Sequence, residues 1–144
     1  MTLTLFSNGR RLYTTSSILM IVVAGLHTFG TSQPIPVEFQ GVLQAMQGAS
    51  VDMGMGMTPT IWDLDRSLAY TMSLTLALLG GLGLILAGTP EATSRVLSRT
   101  AAVMTAGCVA LAVLYWIYRV PPPLISFTVL TFSWGITERT TRLA

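Results

Sequence analysis

Arg10, Arg11, Arg66, Arg95, Arg99, Arg119, Arg139 and Arg142 divide this sequence into long runs that carry no charge. Those runs are Leu12 to Ser32, Ser67 to Gly88, Thr100 to Tyr118 and Val120 to Thr137. Each approaches the roughly 20 residues that cross a bilayer as a helix. The pattern fixes the solvent before it fixes the fold. Only 10% of the residues are charged, against about a quarter in a soluble domain, too few to cover a globule in water. Disorder is excluded too, because disordered chains are charged and poor in apolar side chains. The formal net charge of +2 offers no surface to neutralise a run of phosphates, which argues against a nucleic-acid partner. The lone cysteine, Cys108, rules out an internal disulfide and a cysteine metal cluster.

The expected architecture is therefore all-α: a polytopic membrane protein built as an antiparallel four-transmembrane-helix bundle. It forms one membrane domain over residues 1–144, with spans at about 12–32, 59–87, 90–118 and 121–140. Thr58-Pro59 and Thr89-Pro90 each place a capping hydroxyl before a proline at the first helical position, so the second and third spans are expected to begin there. Gly88 is expected to end the second. Pro121, Pro122 and Pro123 fit the first turn of the fourth, where a missing N–H costs nothing. The positive-inside rule puts both termini in the cytoplasm, with Arg10, Arg11, Arg95, Arg99, Arg139 and Arg142 inside and Arg66 and Arg119 outside. An aromatic belt is expected from Tyr13 and Trp134 at the inner boundary and from Trp62, Tyr115, Trp116 and Tyr118 at the outer one. Arg10-Arg11 followed by the apolar run Ile18 to Leu26 also has the look of a secretory signal. No small-x-small cleavage site follows in good context, so the segment is expected to be retained as a span.

The outer loop, residues 31–58, contains Phe39, Val42, Leu43 and Met46 at helical spacing, with glutamine and Glu38 on the other side. This predicts a short amphipathic helix. Gly48 to Met57 is expected to be flexible. Helix contacts in lipid favour small residues; Ala102, Ala106 and Ala110 with Gly107, then Gly80, Gly81 and Gly83, then Gly25, are the expected contact faces.

Candidate chemistry centres on His27, a turn or so below the outer end of the first span. Asp63, Arg66, Tyr70 and Ser73 share one face of the second span at the same depth. One account is structural: Asp63 pairs with Arg66, His27 binds a carbonyl or Tyr70, and the set fixes helix registry. Another takes intramembrane ionisable groups as a binding or reaction site, with His27 carrying a proton, Asp63 orienting it and Arg66 holding an oxygen. Arg119 could join them. A third makes His27 the axial ligand of a haem or chlorophyll-type ring. Separately, Met53, Met55 and Met57 alternate in the loop, and three thioethers form a soft ligand set that suits Cu(I); the same residues also suit an adaptable apolar loop.

Gly25-Leu26-His27-Thr28-Phe29-Gly30, Pro34, the pair Trp62-Asp63 and a proline opening the fourth span together resemble a family of small bacterial integral membrane proteins of unknown function. The resemblance covers about residues 17 to 137. It implies a four-helix membrane bundle in which His27 and Trp62-Asp63 are recurring polar positions, and it implies no reaction. The Met53 to Met57 run and the Asp65 and Arg66 pair depart from the family pattern. The expected function is a non-catalytic accessory or structural subunit of a bacterial inner (cytoplasmic) membrane complex of respiratory or photosynthetic type, with membrane lipids and other membrane subunits as partners. The alternative is a small membrane enzyme or binding protein for a lipid-like ligand, or for a haem or chlorophyll-type cofactor, in an outer-leaflet pocket around His27.

Overall fold

The computed structural model describes residues 2–117 and 121–143, with side chains for 8–117 and 123–143. Tyr118 and Arg119 lie outside the described residues, as do the expectations placed on them. Helices α1 (Thr2–Ser32), α2 (Gln40–Gly48), α3 (Ile61–Gly88), α4 (Ser94–Ile117) and α5 (Pro121–Arg142) follow one another, with a 3-10 turn at Val37–Phe39. Among the described residues there is no β-strand. Among the described residues three segments are long and apolar enough to cross a membrane: Asn8–Ser32, Ile61–Gly88 and Ser94–Ile117.

Helix α1 packs against α3 on one side and α5 on the other, and α4 packs chiefly on α5. The core between them is made of Tyr13, Met20, Leu76, Leu97, Ala101, Phe127, Leu130 and Trp134. Outside it, Leu26, Leu68, Leu78, Ile85, Val103, Trp116, Ile125 and Phe132 stand more than half exposed. A surface so aliphatic on every helix suits a hydrocarbon solvent and not water.

Both ends of the described chain meet at one end of the bundle, termed the base, where Gly9 lies against Thr141. The α1–α3 seam is closest at Gly80 and Gly83. A Cβ on Gly80 would come within 2.8 Å of the Ser17 carbonyl, and one on Gly83 would collide with Ser17 Oγ. Between α1 and α5, Ser16 Oγ bonds Ser133 Oγ at 2.6 Å and Thr137 Oγ1 at 2.9 Å. Along α5 the hydroxyls of Thr128, Thr131, Thr137 and Thr140 each donate to the carbonyl four residues back. These threonines make α5 less apolar by composition than it is in effect, because each hydroxyl is satisfied within the helix.

The structure revises several sequence expectations. The N-cap of α3 is Thr60, not Thr58: Thr60 Oγ1 accepts from Asp63 N, and Asp63 returns the bond to Thr60 N. Thr89-Pro90 opens nothing; Thr89 follows the end of α3, its N–H bonded to Leu86 O, and α4 starts at Ser94 after Thr93. At α3 the reciprocal Thr60–Asp63 bonds satisfy the helix start better than a proline start would, and at α4 Thr93 Oγ1 accepts from Val96 N at 3.4 Å. Tyr13 and Trp134 are no interfacial belt, since both are 0% exposed and meet edge to face at 5.0 Å in the core. On α4 the buried positions are Leu97, Ala101 and Cys108, whereas Ala106, Gly107 and Ala110 face outward and Ala102 is half-buried. Gly25, Gly81 and Gly107 likewise meet nothing. The loop from Gly48 onward is ordered into a hairpin: Val51 N donates to Pro59 O and Met53 N to Met57 O, each at 3.0 Å.

Candidate functional site

Helix α1 brings His27 to the loop end of the bundle, five residues or about 7.5 Å of helix rise below Ser32. There Val23, Leu26, His27, Gly30 and Thr31 recur on one face of α1. With Met72 and Leu76 of α3 and Pro123, Ser126 and Phe127 of α5 they line a cleft of about 480 Å³. The cleft is mostly apolar, and its size lies within the range of small-molecule sites. Phe127 is held flat against Tyr115 of α4, ring centroids 5.6 Å apart, and the Tyr115 hydroxyl donates to Met72 Sδ at 3.0 Å. The wall opposite His27 is therefore braced from α4.

His27 Nδ1 lies 2.8 Å from Ser73 Oγ on α3. Ser73 Oγ in turn lies 3.3 Å from the Ala69 carbonyl, to which it donates. A hydroxyl has one proton, so both bonds form together only if Nδ1–H donates to Ser73 and Ser73 donates to Ala69. That tautomer leaves Nε2 as a bare acceptor, with no partner among the described residues. Nε2 can accept a hydrogen bond from a ligand in the cleft, or ligate one axial position of a ring. As the sole histidine, it cannot supply a second.

The other candidates do not join it. Arg66 Nη1 donates to the Thr31 carbonyl and Nη2 to Tyr70 Oη at 3.0 Å, while Tyr70 Oη lies 3.4 Å from Ser32 Oγ. The guanidinium sits 5.2 Å from the ring centres of both Trp62 and Tyr70. This is a cation held over the carbonyl end of α1, where the helix dipole favours it. Arg66 and Trp62 line a second groove of about 420 Å³ with Asp65, Pro34 and Pro36, which adjoins the His27 cleft at Gly30 and Thr31. Asp63 points elsewhere, its carboxylate accepting from the Thr60 N–H at 3.0 Å and the Thr60 hydroxyl at 2.7 Å. Thus His27 pairs with Ser73, Arg66 with Tyr70, and Asp63 with Thr60.

Met53, Met55 and Met57 occupy the hairpin tip, all exposed, Met55 at 92%. Gly54, Met55 and Gly56 have positive φ, and Met57 N bonds Gly54 O. Glycine on both sides makes so tight a left-handed turn accessible. Met53 and Met57 face each other across the hairpin, and none of the three lines the His27 cleft. No group of three His, Cys, Asp or Glu that could hold a metal ion occurs among the described residues. Sequence spacing identified Ser73 on the face with Tyr70. It missed Met72, Leu76 and Phe127, which look like any other apolar residue until three helices converge. Comparison with family models, curated proteins and solved structures found no match to this chain.

Proposed function

We propose that this chain is a four-span membrane protein that binds an amphiphile bearing a hydrogen-bond donor in the cleft beside His27. The observation that carries the reading is the unpartnered Nε2 on an otherwise apolar cleft: an apolar ligand body would fill the volume and its hydroxyl or N–H would satisfy the acceptor. Helix α5 serves as the fourth span, a role supported by its place between α1 and α4 and by its internally bonded threonines. The arginine distribution supports a cytoplasmic base, with the cleft in the opposite leaflet. The family resemblance supports a bacterial cytoplasmic membrane.

The test is the small-molecule content of protein purified in mild detergent, read by mass spectrometry and visible absorbance. One amphiphile per chain is expected, lost in His27→Ala and in Gly30→Leu. A Cβ on Gly30 meets open space, so the leucine fills the cleft without disturbing the helices. Unchanged content in both variants overturns the reading. A Soret-type band lost with His27 would identify the ligand as a macrocycle.

A second reading, an accessory subunit of a larger complex, is favoured by the outward Ala106, Gly107 and Ala110 on α4, small residues of the kind that let another helix approach. Co-purification of a larger assembly that Ala106→Leu releases would support it.

A further inference from the structure

At the base of the bundle, α4 and α5 enclose a groove of about 530 Å³ lined by Ser94, Arg95, Ser98, Arg99 and Ala102 of α4 and by Glu138, Thr141 and Arg142 of α5. The positions on α4 repeat at helical spacing, so hydroxyls and guanidinia share one face. The Thr141 hydroxyl is committed to the Thr137 and Glu138 carbonyls. Arg95, Arg99, Arg142, Ser94 and Ser98, by contrast, have no side-chain partner among the described residues. Three guanidinia thus face one carboxylate, that of Glu138. Arg95 also stands in the first turn of α4, where the helix dipole adds positive potential to its own. Like charges do not converge on a concave surface at no cost; an anion between them removes it.

We propose that this groove is a phosphate-binding site at the membrane surface that takes the headgroup of an anionic phospholipid. The guanidinia supply paired donors for phosphate oxygens and the two serine hydroxyls supply the rest. The acyl chains would run up the outward faces of α4 and α5, past Val103 and Phe132, both 68% exposed or more. A free phosphate shares this chemistry, and Glu138 adds a repulsion that any multiply charged anion would feel more strongly than a phosphodiester. The site is separate from the His27 cleft and does not depend on it.

The full chain, in nanodiscs of equimolar phosphatidylglycerol and phosphatidylcholine, is extracted and its retained lipid counted by native mass spectrometry. Retention of phosphatidylglycerol is expected, with preference reduced about tenfold in R95Q/R99Q. The control is R11Q/R139Q, which removes equal charge from the same end at residues outside the groove and is expected to change the preference less than about threefold. Equal losses in the two double variants, or no preference in the unaltered chain, overturn the proposal, the first by showing diffuse surface charge alone. Inorganic phosphate at millimolar concentration provides a mutation-free arm. Displacement of the lipid by phosphate supports the site and identifies a soluble anion as a second source, whereas retention against phosphate supports the lipid as the ligand.

Discussion

The two seams of the bundle use arginine in opposite ways. At the α1–α3 seam the cations are exchanged. Arg10 of α1 donates to the Ala87 carbonyl in the last turn of α3 and to the Thr89, Pro90 and Ala92 carbonyls just beyond it, at 2.8 to 3.3 Å, and Arg66, near the start of α3, donates to Thr31 at the end of α1. Two antiparallel helices thereby cap each other. Carbonyls at a helix end have no partner within the helix, and near hydrocarbon they find little water, so each guanidinium satisfies groups that would otherwise be stranded. At the α4–α5 seam Arg95, Arg99 and Arg142 end on no carbonyl among the described residues. Position at the base of the bundle is common to Arg10 and Arg95; what differs is whether a helix terminus faces the side chain.

The largest effect that breaks this contrast is steric. Gly83→Leu puts a Cβ against Ser17 Oγ and Cβ, so α1 and α3 must separate and the clamps at both ends stretch. A loss of about 3 kcal/mol or more is expected in detergent-titrated unfolding. Gly81→Leu, whose Cβ meets open space, should fall within about 0.5 kcal/mol of the parent. Next comes Arg10→Gln, which takes the side-chain donor from the Ala87, Pro90 and Ala92 carbonyls, Thr89 keeping the Ala92 N–H; it should cost about 2–3 kcal/mol, with Arg66→Gln at about 1–2 kcal/mol because it has one carbonyl to serve. The ratio, read as shifts in the unfolding midpoint, is the check: equal costs would mean that the charge and not the carbonyl count sets the clamp.

A smaller effect sharpens the comparison from the α5 side. Ser16→Ala removes the hydroxyl shared by Ser133 and Thr137. A cost of about 0.6 to 1.7 kcal/mol is expected, since buried interhelical hydroxyls in membranes have modest net value. A larger loss would place the α1–α5 contact on a par with the arginine clamps.

How much of this was legible in the sequence depended on whether the signal was local. Helix content and the uncharged runs were, because charge-free length reports the solvent directly. The amphipathic segment at Phe39 to Met46 was legible by its period, although α2 begins at Gln40. Helix starts were not: Thr58-Pro59 and Thr89-Pro90 carry the right residue types, but Thr60 won because Asp63 lies three residues on and can return its bond. Tyr13 and Trp134 looked interfacial by depth alone, and only the approach of α1 to α5 shows that they bury each other. The same limit separated His27 from Asp63. Depth put both near one end, whereas direction sent Asp63 to Thr60 and left Ser73 for His27. A helical face is readable from spacing; which neighbour it meets is not.

The smallest stability effect is expected where the charge is densest. Arg95→Gln with Arg99→Gln removes two exposed cations that donate to no carbonyl among the described residues, and one of them opposes the helix dipole. The double variant should unfold within about 0.5 kcal/mol of the parent in the assay that registers Arg10→Gln as a large loss, although the two carry the same side chain at the same end of the bundle. Repeating the unfolding in micelles containing phosphatidylglycerol sharpens the distinction: a ligand held by the groove stabilises the parent by mass action, and the increment should vanish in the double variant. A loss as great as that of Arg10→Gln in lipid-free detergent would mean that these arginines do cap a helix end, and the contrast between the two seams would fail.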